Sequence, residues 1–106
     1  MSKYRNVPVV IDGLRFASKK EGRRYMELKL LEKAGKINTL SLQPRFKIKV
    51  QDQLICTYVG DFYYWKRDGE LYGKWVLEDV KGVKTDVYRI KKKLMKACFG
   101  IEIKEI

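Results

Sequence analysis

The spacing of hydrophobic and polar positions changes character several times along this chain. In VPVVIDGLRF, apolar residues flank Asp12-Gly13, a dipeptide suited to a left-handed turn, and the stretch predicts a short hairpin. Ser18 stands three residues before Glu21, the spacing of a helix N-terminal capping box. Good helix formers continue to Ala34, and Gly35 is a natural stop. Tyr25, Leu28 and Leu31 make the apolar stripe of that helix, while Lys19, Arg23 and Lys33 point elsewhere.

The period then shortens to two. Phe46, Ile48 and Val50 alternate with Lys47 and Lys49, as in a strand with one wet face. Gln51-Asp52-Gln53 turns the chain into a second strand, expected from Leu54 to Trp65. Arg67-Asp68-Gly69 marks another turn, Lys74 to Lys81 a third strand, and Gly82 breaks it. Thr85 or Asp86 caps a second helix that runs to about Phe99, with Gly100 ending it. Its apolar stripe is expected at Val87, Ile90, Leu94 and Ala97, with Arg89, Lys92, Lys93 and Lys96 opposite. Ile101 to Ile103 read as a last short strand. The order predicts an α/β or α+β sheet flanked by two helices, in a single domain over residues 1–106.

Charge sharpens this picture. Lys and Arg number 24 against 13 Asp and Glu, a net +11 with no histidine. A small body with that field suits a polyanion, and nucleic acid is the common one inside cells. No apolar run is long enough for a membrane span or a signal peptide, which leads to the expectation of a cytoplasmic, non-secreted protein. Cys56 and Cys98 have no CxxC spacing and sit among apolar neighbours, so they are expected to be buried thiols. The absence of histidine excludes Ser-His-Asp hydrolases, Cys-His proteases and His-ligated zinc enzymes. Hydrolytic chemistry would have to come from carboxylates, lysine and a hard cation.

Two segments supply those groups, TYVGDFYYW and WVLEDVKG. On a strand, Asp79 and Lys81 share one face while Glu78 and Val80 take the other. Asp61, on the preceding strand, can reach the spot that Asp79 reaches, since adjacent strands lie about 4.8 Å apart. Paired carboxylates without His or thiolate suit Mg²⁺, with Mn²⁺ able to substitute, and a neighbouring lysine can activate water. Glu21 lies near the packed stripe of the first helix; it either closes the capping box or reaches the same metal. The plain alternative for Asp61, Asp79 and Lys81 is a structural ion pair on a sheet.

A helical Glu, a strand Asp and then D-x-K after a hairpin resemble the PD-(D/E)XK nuclease superfamily. FASKKEGRRYMELKLLEKAGKI, LQPRF, TYVGDF, EDVKG and YRIKKKLMKACFGIEI together are similar to a family of small phage-encoded endonucleases. The resemblance implies a restriction-endonuclease-like αβββαβ core, Mg²⁺ binding and phosphodiester hydrolysis on duplex or branched DNA during recombination, replication or packaging. It assigns Asp61 and Asp79 as the acids, Lys81 as the lysine and Glu21 as an extra acid. Gly60 stands where the motif's name has proline, and Gln43 before Pro44 recurs in related nucleases without an assigned role. Lys19, Lys20, Arg23, Lys84, Arg89, Lys92, Lys93 and Lys96 are the candidate phosphate contacts, and a homodimer would suit two-strand cutting. The competing functions are a non-catalytic DNA-binding accessory protein and an RNA-binding module that stacks bases on Tyr58, Phe62, Tyr63, Tyr64 and Trp65.

Overall fold

A computed structural model describes residues 7–80 and 84–106. The fold is α+β, with two helices and a mixed central sheet. A hairpin of β1 (Val9–Ile11) and β2 (Leu14–Phe16) leads into α1 (Lys19–Lys33). Strands β3 (Ile37–Leu42), β4 (Arg45–Val50), β5 (Gln53–Val59), β6 (Phe62–Lys66) and β7 (Trp75–Asp79) follow, then α2 (Asp86–Phe99) and β8 (Lys104–Glu105). The central sheet runs β3-β6-β7-β8, antiparallel except for the parallel β7–β8 pair, while β4 and β5 form a separate two-stranded ribbon. With β1, β2 and the ribbon set aside, the order is αβββαβ, the order the resemblance implies, but its first strand is β3 and not the expected strand Phe46–Val50, which lies in the ribbon.

Local chemistry accounts for the boundaries. Asp12 and Gly13 both have positive φ at the first turn, as do Gln51 and Asp52 at the ribbon's tip. The Ser18 hydroxyl accepts the Glu21 N–H at 3.2 Å and starts α1; left-handed Gly35 follows its end. Thr85, and not Asp86, caps α2 by accepting the Tyr88 N–H at 3.1 Å, and left-handed Gly100 stops it. The helix α1 packs one face of the sheet with Phe16, Tyr25, Leu28, Ile37, Phe62, Tyr64 and Val76. On the other face, α2 and the ribbon enclose Ile48, Tyr58, Leu77, Tyr88, Met95 and Ile103.

Several expectations need correction. The single strand expected over Leu54–Trp65 is two strands, because the chain changes partners at Gly60-Asp61. Gly60 N–H still bonds to Pro44 O at 3.0 Å, whereas Asp61 N–H bonds to Glu78 O at 3.0 Å. β3 was not foreseen: Thr39, at positive φ, sits in a register irregularity that hides its alternation. The last strand is Lys104–Glu105 and not Ile101–Ile103; Ile101 N–H caps α2 through Met95 O, and Ile103 is core. The inward stripe of α2 is Tyr88 and Met95 with Leu94 beside them. Val87 and Ile90 are 62% and 59% exposed, and Ala97 is exposed as well. The larger Tyr88 and Met95 side chains take the buried arc, and the Tyr88 hydroxyl fixes the helix's rotation by donating to Glu105 at 2.7 Å. Cys56 is half-buried but Cys98 is exposed, so only the first resembles the buried thiol expected of both. Lys81 and Gly82 lie outside the described residues.

Gly60 carries a specific packing demand. A Cβ there would stand 2.7 Å from Leu77 Cδ1 and 3.5 Å from both Pro44 Cγ and Tyr58 Cε2. Gly60→Ala should therefore cost about 1–3 kcal/mol by overpacking. Gly60→Pro should cost more, since it also removes the N–H bonded to Pro44. Chemical denaturation of both variants checks the order.

Candidate active site

The sheet ends where β6 begins and β7 stops, and the acids meet there. Phe62 opposes Glu78 in the antiparallel register, so one step further Asp61 opposes Asp79. Like charges directly across a sheet repel each other. Both nevertheless withdraw from water: Asp79 is 3% exposed and Asp61 half-buried. The Asp61 carboxyl accepts the Val80 N–H at 2.6 Å and also shares a side-chain hydrogen bond with Asp79. Tyr58 donates its hydroxyl to Asp79 Oδ2 from the ribbon side. Asp61 is thus held by β7's backbone, and Asp79 by a tyrosine from β5.

Glu21 belongs to the same neighbourhood. It is 8% exposed in the first turn of α1 and lines, with Asp61, a cleft of about 160 Å³. Arg15, Leu14 and Phe16 from β2 form one wall, and Leu42 and Gln43 from the end of β3 form another. Gln43 has positive φ, and its N–H donates to Asp61 O at 3.0 Å. Gln43 thus lines the cleft while its backbone holds Asp61. Two contributors were not foreseen from the sequence. Arg15 reaches the cleft only because the β1–β2 hairpin folds over the start of α1, and no spacing rule announces that. Tyr58 lies three residues before Asp61, but its role depends on the partner change at Gly60.

Glu78 has a different task from Asp79. It is fully buried on the α1 face, where the Arg24 guanidinium donates to both its oxygens at 2.7 and 2.6 Å. Tyr64 donates a further hydroxyl. The ion pair holds Arg24 well above its usual range, first through its hydrogen bond to Glu78. Strand alternation therefore separates adjacent acids: one locks α1 to the sheet, and the other faces Asp61.

The Asp61 carboxyl is pushed up to about 7, first by burial and then by repulsion from Glu21 and Asp79 and the bond to Asp79, against the Val80 N–H. The folded chain therefore binds this proton more tightly than an unfolded chain, whose aspartate titrates near 4. The sign follows: Asp61's contribution to stability is present below about pH 4 and is lost as pH rises through about 7. Without divalent metal, the melting temperature of wild type relative to Asp61→Asn should fall across that window. Thermal melts of both proteins in EDTA check it.

A hard divalent cation suits the donor chemistry, since opposed carboxylate oxygens are its preferred ligands and it would relieve their repulsion. Among the described residues, no three His, Cys, Asp or Glu side chains are grouped to enclose an ion. The protein's share would be Asp61 and Asp79, with Glu21 across the cleft, and the remaining ligands would be waters, as Mg²⁺ usually retains.

The candidate phosphate contacts fall into two groups. Lys19, Lys20 and Arg23 are exposed around the first turn of α1, next to Glu21. Near α2, Lys84 and Lys92 pair with Glu105 at 3.1 and 3.2 Å, Lys96 with Glu102 at 3.2 Å and Arg89 with Asp86 at 3.3 Å. Lys93 is exposed. Of the aromatic residues considered for base stacking, Tyr58, Phe62 and Tyr64 are core, and Tyr63 stacks on Trp75 at 4.9 Å. No helix among the described residues is long and apolar enough to cross a membrane.

Comparison with curated proteins and with solved structures gave no match. A family model matches residues 1–105, nearly the whole chain, and the protein belongs to that family, described as "Protein of unknown function (DUF1064)".

Proposed function

We propose that this protein is a Mg²⁺-dependent DNA endonuclease that hydrolyses phosphodiester bonds. One observation carries the reading: Asp61 and Asp79 are opposed at the end of a buried sheet, and Glu21 lines the same cleft as Asp61, in a chain of net charge +11. Two acids placed together repel each other, and a divalent cation between them would relieve that repulsion. The αβββαβ order and the resemblance to PD-(D/E)XK nucleases support the same conclusion, as does the departure of Glu78 into its own ion pair. When bound, the metal supplies charge neutralisation at the phosphate and lowers the pKa of water. The chain's own residues do the rest. Asp61 and Asp79 would hold the ion, with Glu21 across the cleft, and Arg15 at the cleft wall offers a bidentate partner to the phosphate. Lys81, two residues after Asp79 in the chain, is the proposed group that orients or deprotonates the attacking water.

The setting that fits is the cytoplasm of a phage-infected host, with duplex or branched DNA as substrate. The deciding experiment offers labelled four-way junction, flap, single-stranded and linear duplex DNA with Mg²⁺, Mn²⁺ or EDTA. Wild type should cut at least one of them with metal only, and Asp79→Ala and Lys81→Ala should abolish cutting. Tight binding with no cleavage in either metal would replace this reading with that of a DNA-binding accessory protein.

A further inference from the structure

The β4–β5 ribbon carries a charged face that the candidate site does not use. Along β4, Phe46 and Ile48 point inward, packing with Tyr58, Phe99 and Met95 on the α2 side. Arg45, Lys47 and Lys49 alternate with them and are exposed. Opposite them on β5 are Val59, Thr57 and Leu54, none of them acidic, and the ribbon's only carboxylate is Asp52 at its tip. No ion pair to Arg45, Lys47 or Lys49 occurs among the described residues, in contrast to Lys84, Lys92 and Lys96 near α2. Three cations stand in line, and none has an acidic partner among the described residues.

The ribbon also has a direction. Its base is tied to the acid site through backbone bonds, Gln43 N–H to Asp61 O and Gly60 N–H to Pro44 O, both at 3.0 Å. Arg45 therefore starts just after the residue that lines the cleft, and Lys47 and Lys49 lead away from it. Residues two apart on a strand are separated by roughly 6.8 Å. That repeat is of the order of the distance between neighbouring phosphates along one DNA strand, so successive cations can meet successive phosphates.

We propose that the outer face of the β4–β5 ribbon is the docking surface for a DNA backbone, with Arg45, Lys47 and Lys49 as phosphate contacts that lead the strand to the cleft at Asp61. The assignment deepens the nuclease reading and rests on it for the identity of the polyanion. Binding itself can be tested apart from cleavage. Fluorescence anisotropy of a labelled DNA duplex would be measured in EDTA over a range of salt for wild type, R45Q/K47Q/K49Q, K47Q alone and K92Q/K93Q/K96Q. All these positions are exposed or half-exposed, and melting temperatures would be compared to confirm folding.

The ribbon variant is expected to bind at least about ten-fold more weakly, with its salt slope reduced by about 2.7, or 0.9 for each phosphate no longer neutralised. K47Q should show about one third of that reduction, and the α2 variant should be weakened less than the ribbon variant. Unchanged affinity and slope in the ribbon variant would overturn the proposal, as would a larger effect in the α2 variant. A wild type that binds no duplex at low salt, or an RNA duplex that displaces the DNA at a tenth of its concentration, would also overturn it. Because EDTA removes any demand for cleavage, a chain that binds through the ribbon yet never cuts would refute the nuclease reading alone.

Discussion

Arg24→Ala is expected to destabilise the fold by about 3–5 kcal/mol, because it leaves a buried carboxylate without its cation. Glu78 is fully buried, and its two oxygens are met by Arg24 and Tyr64. The Arg24 side chain is 16% exposed and also reaches Glu27 at 2.9 Å, at the surface. The pair is therefore asymmetric: the arginine can turn toward water if its partner goes, but the glutamate cannot. Glu78→Gln should accordingly be milder than Arg24→Ala, as the amide oxygen still accepts from Tyr64. The double variant Arg24→Met with Glu78→Gln should recover much of the loss, since no buried charge is stranded. Urea unfolding of the four proteins gives the comparison, and equal losses for both single variants would show that the charge is not the issue.

Asp61→Asn is expected to have opposite effects on stability and on chemistry. Without metal it should raise the melting temperature near neutral pH, because the amide keeps an acceptor for the Val80 N–H and removes a charge opposed to Asp79. Its effect on DNA cleavage should be a loss on the order of a thousand-fold, about 4 kcal/mol of transition-state stabilisation, if the carboxylate helps to hold the metal. Mg²⁺ should raise the melting temperature of wild type and leave that of the variant nearly unchanged. A variant that is less stable than wild type in EDTA would mean that Asp61 is a structural residue. Melting curves with and without Mg²⁺, beside a gel assay of cleavage, measure all three effects.

Much of this arrangement was legible in the residues. Ser18, Gly35, Thr85 and Gly100 mark helix ends by their own chemistry, and strand alternation separates Asp79 from Glu78. What stayed hidden depends on long-range choices. β3 carries Asn38, Thr39 and Ser41, polar residues around a positive-φ position, so no period signals a strand there. Gly60-Asp61 gave no sign that the chain would change partners, because Leu54 to Trp65 is apolar and aromatic on both sides of it. The rotation of α2 also escaped a stripe count: Val87, Ile90, Leu94 and Ala97 and the pair Tyr88 and Met95 both follow helical spacing. Size and the Tyr88–Glu105 bond decided between them. The pairing of Asp61 with Asp79 could be anticipated from adjacent strands, whereas the contributions of Arg15 and Tyr58 required the fold.

The adjacency of Glu78 and Asp79 makes β7 sensitive to a particular folding error. Sliding this strand by one residue against β6 would turn each side chain to the other face. Sliding one way would put Asp79 toward Arg24 and Val80 opposite Asp61; sliding the other way would put Leu77 toward Arg24 and Glu78 opposite Asp61. The second slip leaves Arg24 facing no acid on β7, and the first is penalised by side-chain length. Glu78 has the reach to meet Arg24 and Tyr64 together across the α1 interface, and aspartate is one methylene shorter. The three-way cluster around Glu78 thus favours the alignment in which the shorter acid is delivered to Asp61.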